Sequence, residues 1–213
     1  MPDIIRLLPD SIANQIAAGE VIQRPASVIK ELLDNAVDAG ATEINVIIKD
    51  AGKTLIHIQD NGSGMSPTDA RMSLERHATS KLRKAEDLFD IRTMGFRGEA
   101  LASIAAIAHT EIRTRRAEDT IGTRLMVEAS VVQVQEGCQC PVGTSVIVRN
   151  LFYNVPARRK FLKSDPVEMR HILDEFHHLA LAFENICFKL YHNEEEIYNL
   201  QPGTLKTRIM GIF

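Results

Sequence analysis

Val28-Ile29-Lys30-Glu31-Leu32-Leu33-Asp34-Asn35-Ala36-Val37-Asp38-Ala39 and, two short strands later, Asp60-Asn61-Gly62-Ser63-Gly64-Met65 are the stretches that decide the fold. In the first, Val28, Leu32 and Ala36 are spaced by four, as are Ile29, Leu33 and Val37, which makes a broad apolar stripe along a helix. Glu31, Asn35 and Asp38 fall at i, i+4 and i+7 and line up on another face. Polar residues so placed ordinarily form a solvated face, and their neighbourhood must argue for anything more. Pro25 suits a first helical turn and Gly40 follows Ala39, so the helix is expected over 25–39. Upstream, a helix near Ser11–Ala18 should stop at Gly19.

Downstream come two expected strands, Ile44–Lys49 and Thr54–Gln59, joined by the turn Asp50-Ala51-Gly52-Lys53. A carboxylate at a strand end, Asp60, followed by Gly62 and Gly64, lets backbone approach a flat ligand, although a plain strand-to-helix loop uses the same residues. Ser66-Pro67-Thr68-Asp69 has an N-cap, a first-turn proline and an acidic third position, opening a helix to about Arg76. Met94-Gly95-Phe96-Arg97-Gly98-Glu99-Ala100-Leu101 is a glycine-rich loop running into a helix over Glu99–Ala108. Unpaired amides at such a terminus attract anions, phosphate above all. The chain has neither a Walker phosphate loop nor a third glycine completing a Rossmann fingerprint after Gly62 and Gly64.

Farther along, strands are expected at Thr110–Thr114, Gly122–Glu128, Val131–Gln135 and Thr144–Arg149. Asp165-Pro166 opens a long helix with Ile172, Phe176, Leu179 and Phe183 on one face, and strands follow near Ile186–Tyr191 and Ile197–Leu200. Residues 204–213 begin something helical and end on Ile212-Phe213, as though cut from a longer protein. The expected division is a domain over 1–203 and the start of a truncated second subdomain over 204–213. The pattern implies an α/β sandwich: one mixed, mostly antiparallel sheet with helices packed on one face and the other face partly open.

Composition narrows the class. The chain has 213 residues, 45% hydrophobic and 25% charged, with three cysteines, which excludes disordered, collagenous and disulfide-stapled proteins. No apolar run reaches the ~18 residues of a membrane helix, and the N-terminus lacks a signal-peptide layout. A cytoplasmic location is expected. The formal charge of −3 does not announce a nucleic-acid binder. Basic residues nevertheless cluster, six between Arg149 and Arg170 against Asp165 and Glu168.

Taken in order, Glu-x-x-x-Asn on a helix, Asp-x-Gly-x-Gly after a strand, Gly-x-x-Gly before a helix and Gly143-Thr144 before a strand form a joint signal. It resembles the nucleotide-binding motifs of the superfamily that contains DNA gyrase, Hsp90 chaperones, histidine kinases and MutL. Longer blocks narrow the resemblance: Ala13-Asn14-Gln15-Ile16-Ala17-Ala18-Gly19-Glu20-Val21, His77-Ala78-Thr79-Ser80-Lys81, and Leu151-Phe152-Tyr153-Asn154-Val155-Pro156-Ala157-Arg158-Arg159-Lys160-Phe161-Leu162. Together these are similar to the N-terminal ATPase region of the MutL family of DNA mismatch repair, over nearly the whole chain.

That resemblance implies a Bergerat-type ATP-binding fold and a slow, magnesium-dependent ATPase acting as a nucleotide-gated matchmaker. It implies that Glu31 is the general base and that Asn35 completes the magnesium shell. Asp60 would read the adenine amino group, with Thr144 beside it and Gly62, Gly64 and Met65 around the base. Thr79, Ser80 and Lys81, with Arg97, Gly98, Glu99, Ala100 and Leu101, would form a phosphate-contacting lid. Its apolar anchors are few, Leu82, Leu88, Phe89 and Ile91. Implied partners are DNA, weakly and without sequence preference, through Arg158, Arg159 and Lys160; the mismatch-recognition protein MutS; a downstream repair nuclease or helicase; and a second copy in an ATP-dependent homodimer. A DNA-binding module in which nucleotide is only structural is the alternative. The family's transducer lysine lies beyond this chain, so weak turnover is expected.

Overall fold

Alternation of burial along the strands sets the architecture. In the computed structural model, residue 4 and residues 6–81, 84–89, 93–95 and 97–213 are described. Two helices open the chain, α1 (Asp10–Val21) and α2 (Pro25–Asp38), followed by a hairpin of β1 (Glu43–Lys49) and β2 (Leu55–Asp60). After α3 (Pro67–Met72) and α4 (Ala100–Ile107) come β3 (His109–Arg115), β4 (Gly122–Glu128), β5 (Val131–Cys138) and β6 (Gly143–Arg149). Helices α5 (Pro156–Phe161) and α6 (Asp165–Ala182), strands β7 (Cys187–His192) and β8 (Glu195–Leu200) and helix α7 (Leu205–Ile212) complete the order.

The strands form one eight-stranded sheet in the order β5-β4-β3-β6-β2-β1-β7-β8. All neighbours run antiparallel except β1 and β7, which pair in parallel with Ile44 opposite Phe188. This is the mixed, mostly antiparallel sheet that the pattern of elements implied. Ile44, Val46 and Ile48 of β1, Ile56 and Ile58 of β2, and Val146 and Val148 of β6 are buried in one continuous core with Val28, Ile29, Leu32 and Leu33 of α2. Residues i and i+2 of a strand share a face, so each strand gives its apolar set to the helices. Helix α2 packs on α6 and β2, and α1 on α4. Among the described residues no helix is long and apolar enough to cross a membrane.

The opposite face of the sheet is polar but ordered. Glu111 of β3, only 4% exposed, gathers Arg113, Arg124 and Arg149 from three adjacent strands. Burial of its carboxylate opposes ionisation, yet hydrogen bonds from the three guanidiniums win and draw its pKa down to about 2.

Several expected boundaries move. Helix α1 runs through Gly19 instead of stopping there. A Cβ at Gly19 would collide with the guanidinium of Arg158, which donates to the Ile22 carbonyl at 3.0 Å. Glycine is therefore a packing choice here, not a cap. Helix α3 ends at Met72 rather than Arg76, where Ser73 Oγ donates back to the Ala70 carbonyl at 2.8 Å and competes with the helical ladder. Its start is as expected, with Ser66 Oγ accepting from Asp69 N at 3.0 Å. Strand β5 extends to Cys138 because that residue pairs with Gly122. Helix α5, with six residues, is too short to show a helical period. Residues 204–213 supply α7, which a Thr204–Thr207 capping box opens and which packs on α6 and β8. There Arg208, 2% exposed, donates to the carbonyls of Glu184 and Ile186.

The arginine cluster makes a pH prediction. Its stabilisation exists above the ordinary glutamate range and is lost as pH falls from about 4.5 toward about 2. Because the arginines are partly solvated, Glu111→Gln should cost about 1–2 kcal/mol at pH 7. Urea melts between pH 2 and 7 should show the wild-type advantage shrinking in acid; a constant difference would contradict it.

Candidate functional site

The site is built where β2 ends. Asp60 stands opposite Thr144 across the β2–β6 ladder, and its Oδ1 accepts from Gly62 N at 2.8 Å and Thr144 N at 3.3 Å. Both bonds fall on Oδ1; Oδ2 takes part in neither. Burial penalises the charged carboxylate more than the two amides favour it, and the pKa rises to about 6. An acceptor held this way suits the amino group of a flat heterocycle.

Thr114 of β3 closes the same corner. Its Oγ1 accepts from Met65 N at 2.9 Å and lies 3.0 Å from the Gly143 carbonyl, to which it donates, and 3.1 Å from Thr144 Oγ1. Gly64 has a left-handed backbone (φ +67°), and a Cβ there would collide with the Arg115 carbonyl. Met65 is partly buried against the core. The structure brings Asp60, Gly62, Gly64, Met65 and Thr144 to one corner, and adds Thr114, which sequence reading missed. A threonine inside an alternating strand gives no signal of its own.

Helix α2 supplies the second wall. Glu31 and Asn35 are half-buried, one turn apart. The Glu31 carboxyl is pushed up chiefly by burial, with the nearby Asp34 adding, while Lys30, Lys81 and Arg97 pull it down. Lys81 Nζ lies 3.2 Å from Asn35 Oδ1 and 2.6 Å from Asp38 Oδ2. The amides of Met94 and Gly95 donate to the Asp38 carboxylate at 2.9 and 3.1 Å. Asp38 shared the expected polar face of α2, yet its place at this junction was not anticipated.

The third wall is the run of His77–Lys81 and the glycine loop before α4. His77 N donates to the Gly98 carbonyl at 3.1 Å, and a Cβ on Gly98 (φ +62°) would strike the Ala78 carbonyl. Thr79 Oγ1 accepts from Lys81 N at 3.1 Å. Glu99 occupies the N-cap position of α4 without a side-chain cap bond, its carboxylate lying 3.1 Å from His77 Nδ1 and 3.7 Å from Arg76, and Ala100 and Leu101 open the first turn of that helix. Ser80 and Arg97 are exposed. Of the anchors expected in this segment, Leu82 and Ile91 lie outside the described residues, as does Phe96; Phe89 is 94% exposed.

Away from this corner, the basic trio divides. Arg158 is engaged with Ile22 and Gly19, whereas Arg159 and Lys160 are exposed on α5.

The family model described as histidine kinase-, DNA gyrase B-, and HSP90-like ATPase matches residues 23–141. The "Aquifex aeolicus MutL ATPase domain complexed with ADP" superposes with a TM-score of 0.73 at 33% identity, covering 91% of this chain and 70% of that one. The DNA mismatch repair protein MutL of Flavobacterium psychrophilum is 61% identical over 213 residues, all of this chain and 35% of that protein. Its counterpart from Christiangramia forsetii is 64% identical over 212 residues, covering 34% of its length. The chain belongs to the MutL branch of this ATPase family, with the ATPase fold of those relatives. It spans about a third of the length of the curated relatives it matches.

Asp60 carries a stability consequence. A carboxyl whose folded pKa is raised destabilises the fold once it ionises, so stability falls as pH rises from about 3.8 to about 6. Asp60→Asn keeps an oxygen for Gly62 and Thr144 and removes the charge. It should raise stability at pH 7.5 by up to about 3 kcal/mol and flatten that window in urea melts. Lower stability at pH 7.5 would contradict the burial argument.

Proposed function

We propose that this chain binds ATP with magnesium at the corner of Asp60, Asn35 and the Gly95–Leu101 loop, and hydrolyses it slowly as a switch in DNA mismatch repair. The observation that carries the reading is Asp60, a buried acceptor fixed by Gly62 and Thr144, in a chain belonging to an ATPase family. One Aquifex relative is described as complexed with ADP.

In this reading the adenine amino group donates to Asp60, and an acceptor-only carboxylate favours adenine over guanine, whose matching edge differs. The base lies over Met65 and near Thr144, with Gly62 and Gly64 allowing close approach. The phosphates run toward Lys81, Thr79, Ser80, Arg97 and the first turn of α4, where amides and dipole favour negative charge. The Asn35 amide oxygen is the hard donor that magnesium would take. Bound magnesium would neutralise phosphate charge. Glu31, one turn before Asn35, orients the attacking water and accepts its proton. Burial raises its pKa, so turnover should fall at a higher pH than an ordinary glutamate would dictate.

For the whole protein we propose a nucleotide-gated matchmaker. Its partners would be MutS, a downstream nuclease or helicase, a second copy in an ATP-dependent dimer, and DNA bound weakly through exposed Arg159 and Lys160.

Glu31→Ala should abolish turnover while ATP affinity stays within about threefold, because the adenine and phosphate contacts remain. Asp60→Ala should cost about 1–3 kcal/mol of ATP affinity and erase the preference over GTP. Calorimetric titration with both nucleotides, beside steady-state phosphate release, decides it. Equal loss of binding and turnover in Glu31→Ala, or an intact ATP preference in Asp60→Ala, would refute these assignments.

A further inference from the structure

Asp38 ends the polar face of α2, seven residues beyond Glu31 and three beyond Asn35. Its side chain is 7% exposed and collects three donors from two separate segments. Oδ2 takes the Lys81 ammonium at 2.6 Å and the Gly95 amide at 3.1 Å; Oδ1 takes the Met94 amide at 2.9 Å. A carboxylate has about four acceptor positions, so three are filled, one by a full charge. Lys81 in turn bridges to Asn35 Oδ1 at 3.2 Å. The backbone of Gly95 completes the packing, since a Cβ there would stand 3.3 Å from Lys81 Nζ, 3.9 Å from Asn35 Oδ1 and 4.0 Å from Asp38 Oδ2. Asn35 and Asp38 from α2 and Gly95 from a distant loop thus converge on one ammonium group.

We propose that Asp38 is a positioning residue, which fixes Lys81 and the Met94–Gly95 backbone to receive the terminal phosphate of the nucleotide. This rests on the reading of the corner as an ATP site. A lysine ammonium has three N–H donors. Among the described residues two are engaged, by Asp38 and Asn35, and the third is available to an anion. Lysine is long and rich in rotamers, and holding it before the ligand arrives removes that ordering cost from binding. The same pairing neutralises a carboxylate that would otherwise repel phosphate. Asp38 acts through Lys81 and the loop amides, without touching the ligand.

Such a role is selective for the ligand's far end. Calorimetric titration of this chain with adenosine, ADP and a non-hydrolysable ATP analogue, repeated on Asp38→Asn, Lys81→Met and the double variant, tests it. Asp38→Asn keeps an oxygen for Met94 but removes the negative charge that holds Lys81. We expect about tenfold weaker binding of the triphosphate analogue, a smaller loss for ADP and none for adenosine. The double variant should bind the analogue within about twofold of Lys81→Met, because the two residues act as one unit. Gly95→Ala, which leaves Asp38 intact and crowds Lys81, should give the same triphosphate-selective loss, and it stands in if Asp38→Asn does not fold. Unchanged or tighter analogue binding, equal losses for all three ligands, or losses that multiply in the double variant would each overturn the proposal. Failure of the unaltered chain to bind any of the three would instead overturn the reading of the pocket.

Discussion

The functional geometry hangs on one carboxylate oxygen. Asp60 Oδ1 accepts from Gly62 and from Thr144, and so ties the end of β2 both to its own following loop and to the start of β6. Everything around the corner is indexed to that knot. Thr114 joins Gly143 to Met65 beside it, and a Gly64 side chain would find Arg115 already in place. The cost is electrostatic: a charged group held out of water, with its pKa raised to about 6. A buried acceptor is costly to ionise unless its partners match the lost hydration, and two amides do not.

The polar side chains of the two sheet faces show contrasting solutions to the same problem. Asp60 has only backbone amides and stays hard to ionise, while Glu111 has three guanidiniums and stays hard to protonate. One carboxylate lacks a charged partner, and the other is surrounded by three. Perturbation by burial alone marks a site more convincingly than perturbation by a closed ion cluster.

What the sequence revealed followed the strength of its local signals. The apolar stripe of α2 and the alternation in β1, β2 and β6 placed the core, because periods of 3.6 and 2 are written directly in residue order. Glu31, Asn35, Asp60, Gly62, Gly64 and Thr144 were legible as motifs, since their types and spacing recur together in the order the resemblance rests on. Thr114 and the junction at Asp38 were not, because both depend on partners 29 to 57 positions away. Gly19 was misread for the same reason: its partner, Arg158, arrives from α5. Helix ends decided by side-chain competition, as at Ser73, were equally hidden.

The strand order has a consequence for how this domain can be divided. Strand β6 (Gly143–Arg149) lies between β3 and β2, antiparallel to both. Among the described residues it is the only strand joining the three-stranded meander β3–β5 to the strands under α2, and it begins after the end of the stretch that the family model matches, residue 141. A chain trimmed there would hold two sheet fragments with facing, unsatisfied edges, each a template for pairing with other molecules. Completion comes later still, when β7 docks beside β1 across more than a hundred residues of intervening chain. Non-local pairing of this kind slows folding, since loop entropy must be met before the contact repays it. During synthesis β1 therefore waits with one edge open until β7 has left the ribosome, and the exposed interval is set by topology rather than by any single residue.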